Sequence, residues 1–360
     1  MSSRINPDLQ RYPVRKRELL QAWDAADELL VNHFNTLDLK GKRVLVINDS
    51  FGALSCALDG CDVTSYTDSF VSSRGIELNS KGRIAPVTRL SDLKGEFDLA
   101  VIRIPKNTSF FEDILCHVSQ RLKPGAPVVC GAMIKYLAKT SFELLNKYIG
   151  ETSTSLAAKK ARLVFASLSQ KPSQSPYPLS VSFEGFDVPF VNHSNLFSRE
   201  KLDIGTRFFL SQIPEGDYKS ILDLGCGNGV IGIAAAQANP QATLIFSDDS
   251  CMAVESARAN FKSYLPDRDA QFLWTNCFEN QPAEKLDLVL CNPPFHQGGA
   301  MSESIARQMF ADARHALAPG GLLRVIGNTH LGYGALLKSL FGESHRIEAN
   351  DKFTIVDAIK

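Results

Sequence analysis

The chain repeats itself. VLVINDSFGAL at 44–54 runs parallel to ILDLGCGNGVI at 221–231 with an offset of 177. Asp68 in YTDSF meets Asp248 in FSDDS at an offset of 180. FDLAVIRIPK at 97–106 meets LDLVLCNPPF at 286–295 at 189, and LKPGAPVV at 122–129 meets LAPGGLLRV at 317–325 at 195. Offsets that grow slowly in chain order are what a duplicated unit with short insertions produces. Within each copy, short apolar runs alternate with helix-like stretches, the pattern of a parallel sheet with crossover helices. The expected fold class is therefore α/β, with two tandem Rossmann-like domains arising by duplication.

In the second copy the pattern predicts strands over 221–224, 243–247, 286–291 and 323–326. It predicts helices over 230–238, 252–263 and 302–318, the last one stopped by Pro319-Gly320-Gly321. Residues 181–191, VSFEGFDVPFV, read as a hairpin. Between the copies, SQKPSQSPYP at 169–178 carries three prolines and no periodicity. The expected organisation is a first domain over 1–168, a linker over 169–180 and a second domain over 181–360.

Composition narrows the classes. The longest apolar run lies near 231–236, far short of the ~20 residues that span a bilayer, and the polar N-terminus lacks the apolar core of a signal peptide. Eight cysteines form no CxxC pair, which points to reduced thiols in a cytoplasmic protein and not to a disulfide framework or a zinc site. Acidic and basic side chains balance at 39 each, but unevenly along the chain. Residues 1–180 hold 24 basic and 18 acidic groups and residues 181–360 hold 15 and 21; within 101–180 alone the count is 11 against 4. A basic first half suits a polyanionic partner.

The two copies differ where chemistry would sit. Gly225, Gly227 and Gly229 of the second copy face Asn48, Ser50 and Gly52 of the first, and NPPF faces Arg103-Ile-Pro-Lys106. The first copy keeps the sheet and lacks the cofactor motif. In the second, Asp223-Leu-Gly225-Cys-Gly227-Asn-Gly229 lies between a strand and a helix, where glycines allow positive φ and let a ligand approach the main chain. Gly227, Gly229 and Gly232 also satisfy the dinucleotide fingerprint, and Asp248 could accept ribose hydroxyls from either a nicotinamide dinucleotide or S-adenosylmethionine. Asp223 separates the two, since its charge repels a pyrophosphate and suits a ligand bearing a sulfonium and an ammonium. Asn292-Pro293-Pro294-Phe295 falls at the carboxyl edge of the sheet, where open α/β folds bind ligands. The Asn292 carboxamide oxygen and the Pro293 carbonyl can each accept an N–H of an exocyclic aromatic amine, drawing its nitrogen toward tetrahedral geometry, and Phe295 offers a face for a flipped base.

DLGCGNG, SDD and NPPF in this order resemble class I S-adenosylmethionine-dependent methyltransferases. With NDSFGALSCAL, AAKKARL, NLFSREKLDIGTRFFL and CNPPFHQG, the whole chain resembles the family of ribosomal RNA guanine-N2 methyltransferases that includes large subunit methyltransferase G and small subunit methyltransferase C. The resemblance implies N2-methylation of a guanine in 23S rRNA, naked or in a pre-ribosomal particle, with 16S rRNA as the alternative substrate. It assigns Asp223, Gly225, Gly227 and Gly229 to the methionine end of the cofactor, Asp248 to its ribose and Asn276, in WTNCF, to its adenine. Asn292, Pro293 and Phe295 are the expected catalytic residues, and Asp203 the expected rim of the cofactor entrance. No metal and no membrane contact is expected. His296 reads as a substrate-side or surface histidine, with a base for the released proton as the alternative. Lys159, Lys160 and Arg162, like Arg15, Lys16 and Arg17, are candidate phosphate contacts or solvated faces. Trp23 and Phe34 have helical spacing and read as core.

Overall fold

The computed structural model describes residues 4–294 and 300–360. The chain divides into two compact units, Met1–Tyr177 and Pro178–Lys360.

The first unit holds strands β1 (Arg43–Ile47), β2 (Asp62–Tyr66), β3 (Leu99–Arg103), β4 (Pro127–Met133), β5 (Ser153–Thr154) and β6 (Ala161–Ser167). Its helices are α1 (Ala25–Phe34), α2 (Phe70–Asn79), α3 (Thr108–Ser119) and α4 (Lys139–Tyr148). The sheet order is β2-β1-β3-β4-β6-β5, parallel through β4 and antiparallel at β6 and β5. The second unit opens with a hairpin of β7 (Leu179–Val181) and β8 (Phe190–Asn192) and helix α5 (Ile204–Leu210). Its main sheet comprises β9 (Ser220–Leu224), β10 (Thr243–Asp248), β11 (Ala270–Trp274), β12 (Leu286–Cys291), β13 (Leu317–Asn328), β14 (His345–Ala349) and β15 (Phe353–Ile359). Helices α6 (Val230–Ala238), α7 (Cys251–Tyr264), α8 (Ala300–Ala316) and α9 (Tyr333–Phe341) flank it. The order is β11-β10-β9-β12-β13-β15-β14, again with only the last two pairings, β13–β15 and β15–β14, antiparallel.

The two sheets repeat each other in register. Val44 pairs with Leu99 in the first and Ile221 with Leu288 in the second, which are the same positions after offsets of 177 and 189. Ala100–Val128 corresponds likewise to Val289–Leu323. The counterpart of β11 survives in the first unit as a single parallel bridge, Tyr66 to Val87. The duplication extends to strand order and pairing.

Alternation along the second sheet builds two cores. Ile221, Leu288 and Leu290 face α6 and α7, while Leu222, Leu224, Val289 and Cys291 face α8 and α9. Strands buried on both faces are near-continuously apolar, as 286–291 and 221–224 are. Asp223 sits on the α6 face of such a strand.

Residues 169–177 are fastened to the first unit and do not run free. Ser169 N–H donates to the Ile149 carbonyl (2.8 Å), Gln120 Nε2 to the Ser173 carbonyl (2.8 Å), and Ser175 Oγ to Asp113 (2.6 Å). Tyr177 OH reaches Glu112 (3.1 Å). The division falls after Tyr177, inside the span expected to be a linker. Phe34 is buried in the first core as expected, whereas Trp23 precedes α1 and packs partly buried beside Leu9, Ala22 and Phe51. Among the described residues no helix is long and apolar enough to cross a membrane.

Candidate active site

The glycine turn connects β9 to α6 at the carboxyl edge of the sheet. Gly225, Gly227 and Gly229 have φ of 76°, 54° and 83°, left-handed values that side chains other than glycine's adopt only at a cost. Two main-chain bonds staple the turn to β10, from Gly225 N–H and Cys226 N–H to the Ser247 carbonyl at 2.9 and 3.0 Å. A Cβ placed on Gly227 would meet no atom within 4 Å, so the turn faces open room.

Asp223 is 1 % exposed. Its Oδ2 accepts from Gly232 N–H at 2.8 Å, and its Oδ1 is buried without a hydrogen-bond partner among the described residues. Burial, with the charge of Asp248 adding to it, pushes its pKa from 3.8 up to about 8. An orphaned carboxylate oxygen next to an open glycine turn is a seat for a cation. Asp248, at the end of β10, accepts from Gly227 N–H (3.0 Å) and Ser250 N–H (2.9 Å), so the acidic group is fixed against the turn. Asn276, buried after β11, donates from Nδ2 to Glu279 (2.9 Å) and holds its oxygen beside the Cys277 thiol.

Asn292 follows β12 directly. The residue before a proline is confined to extended backbone, so Pro293 fixes how the side chain leaves the strand. Its Nδ2 donates to Thr206 Oγ1 at 3.1 Å, and its Oδ1 is buried with no hydrogen-bond partner among the described residues. The carboxamide is thus oriented, with its acceptor left over. Phe295 and His296 lie outside the described residues.

Thr206 was not legible in the sequence. It lies 86 residues from Asn292, on a helix whose N-cap is Asp203, and Asp203 Oδ2 accepts from Thr206 N–H at 3.1 Å. Asp203 therefore acts on the helix carrying Thr206, a more specific place than the expected rim. Gly205 lets α5 approach β15, since a Cβ there would stand 2.8 Å from the Phe353 ring. The hairpin before α5 is pinned by Asn260, which accepts from Val191 N–H (2.7 Å) and donates to the Asn228 carbonyl of the glycine turn (2.9 Å). The only sequence signal for this apparatus was LDIGT, a cap followed by a helix. Thr206→Val should lower turnover roughly 10-fold with cofactor affinity unchanged, and Thr206→Ser should restore most of it. Stopped-flow and steady-state turnover measurements check this.

Cys226 and Cys291, at the turn and before Asn292, are buried and their thiols are pushed well above the ordinary range. Neither is a nucleophile at neutral pH. Among the described residues no group of three or more His, Cys, Asp or Glu is placed to hold a metal ion.

The corresponding edge of the first unit is filled by the protein itself. Asn48 keeps the positive φ of Gly225, at 59°, and Gly52 that of Gly229, at 91°. Between them the buried Asp49 accepts from Gly52, Leu54 and Ser55 N–H at 3.0, 3.1 and 2.8 Å, consuming the amides of the turn. Arg103, in the position of Asn292, pairs with Asp24 (2.7 Å) and Asp27 (2.9 Å) of the capping box that starts α1. Leu9, Ala22, Phe51 and Ala53 pack over the turn.

The strand order, the open glycine turn between two carboxylates and the Asn-Pro-Pro at the end of the fourth strand define a class I S-adenosylmethionine-dependent methyltransferase, in the second copy only. Residues 2–170 match the family described as RLMG N-terminal domain, and residues 187–357 match the Methyltransferase small domain family. The chain belongs to the ribosomal RNA large subunit methyltransferase G family. It is 44% identical over 365 residues to the protein of that name from Ectopseudomonas mendocina (strain ymp), covering 98% of this chain and 97% of that one. It is 43% identical over 365 residues to the one from Aliivibrio fischeri (strain MJ11), covering 98% and 96%. A T. thermophilus 16S rRNA N2 methyltransferase, solved with AdoMet and guanosine, shares the fold at a TM-score of 0.78 and 20% identity, over 99% of this chain and 94% of that one.

Proposed function

We propose that this chain transfers a methyl group from S-adenosylmethionine to the exocyclic N2 of a guanine in 23S rRNA, in the cytoplasm. The observation that carries the reading is a pair of buried oxygens at one sheet edge, Asp223 Oδ1 and Asn292 Oδ1, both without a hydrogen-bond partner among the described residues. One suits a cation and the other an N–H donor. The relatives' names, given for the large subunit at 43–44% identity, favour 23S over 16S rRNA.

When bound, S-adenosylmethionine would supply an electrophilic methyl carbon on a sulfonium; the sulfur would keep the bonding pair and the alkylated, now acidic nitrogen would release its surplus proton to water. Asp223 holds the ammonium of the methionine end and the backbone at Gly225, Gly227 and Gly229 gives it room. Asp248, anchored on Gly227 N–H, faces the ribose hydroxyls. Asn276 lies at the adenine end. Asn292 Oδ1 and the Pro293 carbonyl accept the two N–H groups of the guanine amine, localising a lone pair otherwise spread into the ring. Thr206 Oγ1 tethers the carboxamide through its nitrogen. Phe295 stacks on the base. The first unit binds RNA by shape and phosphate contacts, since RNA duplexes offer little base readout in their deep groove.

Labelled methyl transfer to purified 23S and 16S rRNA, followed by nucleoside mass analysis, tests this. The expected product is N2-methylguanosine in 23S rRNA alone. Label in 16S rRNA or on another atom would refute the assignment.

A further inference from the structure

The first unit's own carboxyl edge, closed to a cofactor, carries a different apparatus. Three segments meet there: the end of β3, the loop after β4 and the turn before β6. The β4–β6 pairing sets Met133 opposite Ala161, and Ile134 N–H donates to the Lys160 carbonyl at 2.8 Å. This brings Lys106, Lys135 and Lys160 to one edge, all exposed, and none makes an ion pair among the described residues. Lys159 beside them is tied to Glu28 at 2.5 Å, and Lys139 to Glu143 at 3.3 Å.

Among these lysines stands an exposed aromatic. Tyr136 is 38% exposed, with Lys106 Nζ at 4.6 Å and Lys135 Nζ at 4.7 Å from its ring centroid. The hydrogen bond from Lys135 above all, and the charge of Lys106, hold its phenol below the usual value. Ile134 and Leu156 are exposed nearby. Lys106 occupies the repeat position of Phe295 and Tyr136 that of Leu331, at offsets of 189 and 195.

We infer that Tyr136, flanked by Lys106 and Lys135 and backed by Lys160, is a stacking site for an unpaired nucleotide of the RNA substrate. This rests on the rRNA reading above. An aromatic face takes any base, and lysines around it meet the flanking phosphates. The exposed cation–π contacts now on the ring are weaker than base stacking, so an incoming base displaces an ammonium toward its own phosphate. The local excess of unpaired positive charge matches the 11 basic against 4 acidic residues of 101–180 and selects a nucleic acid over a neutral or basic protein surface.

The test uses full-length protein and naked 23S rRNA, with filter binding across a salt series beside steady-state methyl transfer. Tyr136→Ala should raise the Kd and KM for RNA about 10-fold, with the turnover at saturating RNA and the cofactor affinity unchanged, and Tyr136→Phe should behave as wild type. Lys106→Ala with Lys135→Ala should weaken binding and flatten the log–log salt slope by about 0.7 for each lost phosphate contact. The side chains are exposed, so the variants should keep the wild-type melting temperature. Unchanged RNA affinity in Tyr136→Ala overturns the inference. So does a loss seen only on assembled subunits, which would make the site a protein contact. A wild type that methylates no rRNA would instead refute the functional reading.

Discussion

Asn292→Ala is expected to lower methyl transfer by a factor of about 10²–10³ while leaving the Kd for cofactor within roughly threefold. The size follows from what removal of one positioned hydrogen-bonding group costs where the transition state concentrates charge. The selectivity follows from geometry. Among the described residues Asn292 Oδ1 has no hydrogen-bond partner and Nδ2 bonds to Thr206, so on the proposed reading the acceptor is kept for the incoming amine. Loss of that one hydrogen bond should cost the fold about 1 kcal/mol. Single-turnover transfer beside calorimetric cofactor titration reads both quantities, and parallel losses in the two would place Asn292 in cofactor binding instead.

Asp223→Asn is expected to move stability and binding in opposite directions. The carboxyl titrates near 8 in the folded protein and near 3.8 when unfolded, because burial disfavours its charge. Between these values the folded state holds a proton the unfolded state has lost, so this group's contribution falls as pH rises from about 4 to about 8. The neutral asparagine escapes that loss. Its ligand-free melting temperature should exceed the wild type's by a few degrees at pH 8 and above, a gain on the order of 1–3 kcal/mol. Cofactor affinity should drop about 100-fold, since an amide cannot pair with an ammonium. Calorimetry at pH 5 and 8 and a binding titration check both halves; a less stable variant at pH 8 would mean that the orphan oxygen has a structural task.

The sequence carried the strands that run through the core and the residues next to the chemistry. The spans 230–238 and 286–291 are a helix and a strand at the expected limits, because apolar runs buried on both faces leave no other solution. Helix α8 ends at Ala316 and not at 318. Pro319-Gly320-Gly321 read as a helix stop, yet β13 starts at Leu317 and carries the motif as an irregularity, with Leu286 opposite Leu317 but Leu288 opposite Leu322. The hairpin of β14 and β15 was not anticipated, since its outer strand is almost wholly exposed and shows little apolar alternation. Two features needed three dimensions. The hold of Thr206 on Asn292 joins residues far apart in the chain, and Asp49 closing the first turn looks in sequence like any acid in a decayed glycine loop. The prolines at 172, 176 and 178 suggested free chain, whereas side chains between them bond to Asp113 and Glu112.

The most direct test of the account is a crystal structure of the protein with S-adenosylhomocysteine and guanosine in the second copy. The account places the guanine amine within about 3 Å of Asn292 Oδ1, hydrogen-bonded to it, with the amino-acid end of the cofactor product against Asp223. A base bound with its amine turned away from Asn292, or a carboxamide rotated to present Nδ2 to it, would contradict the central claim.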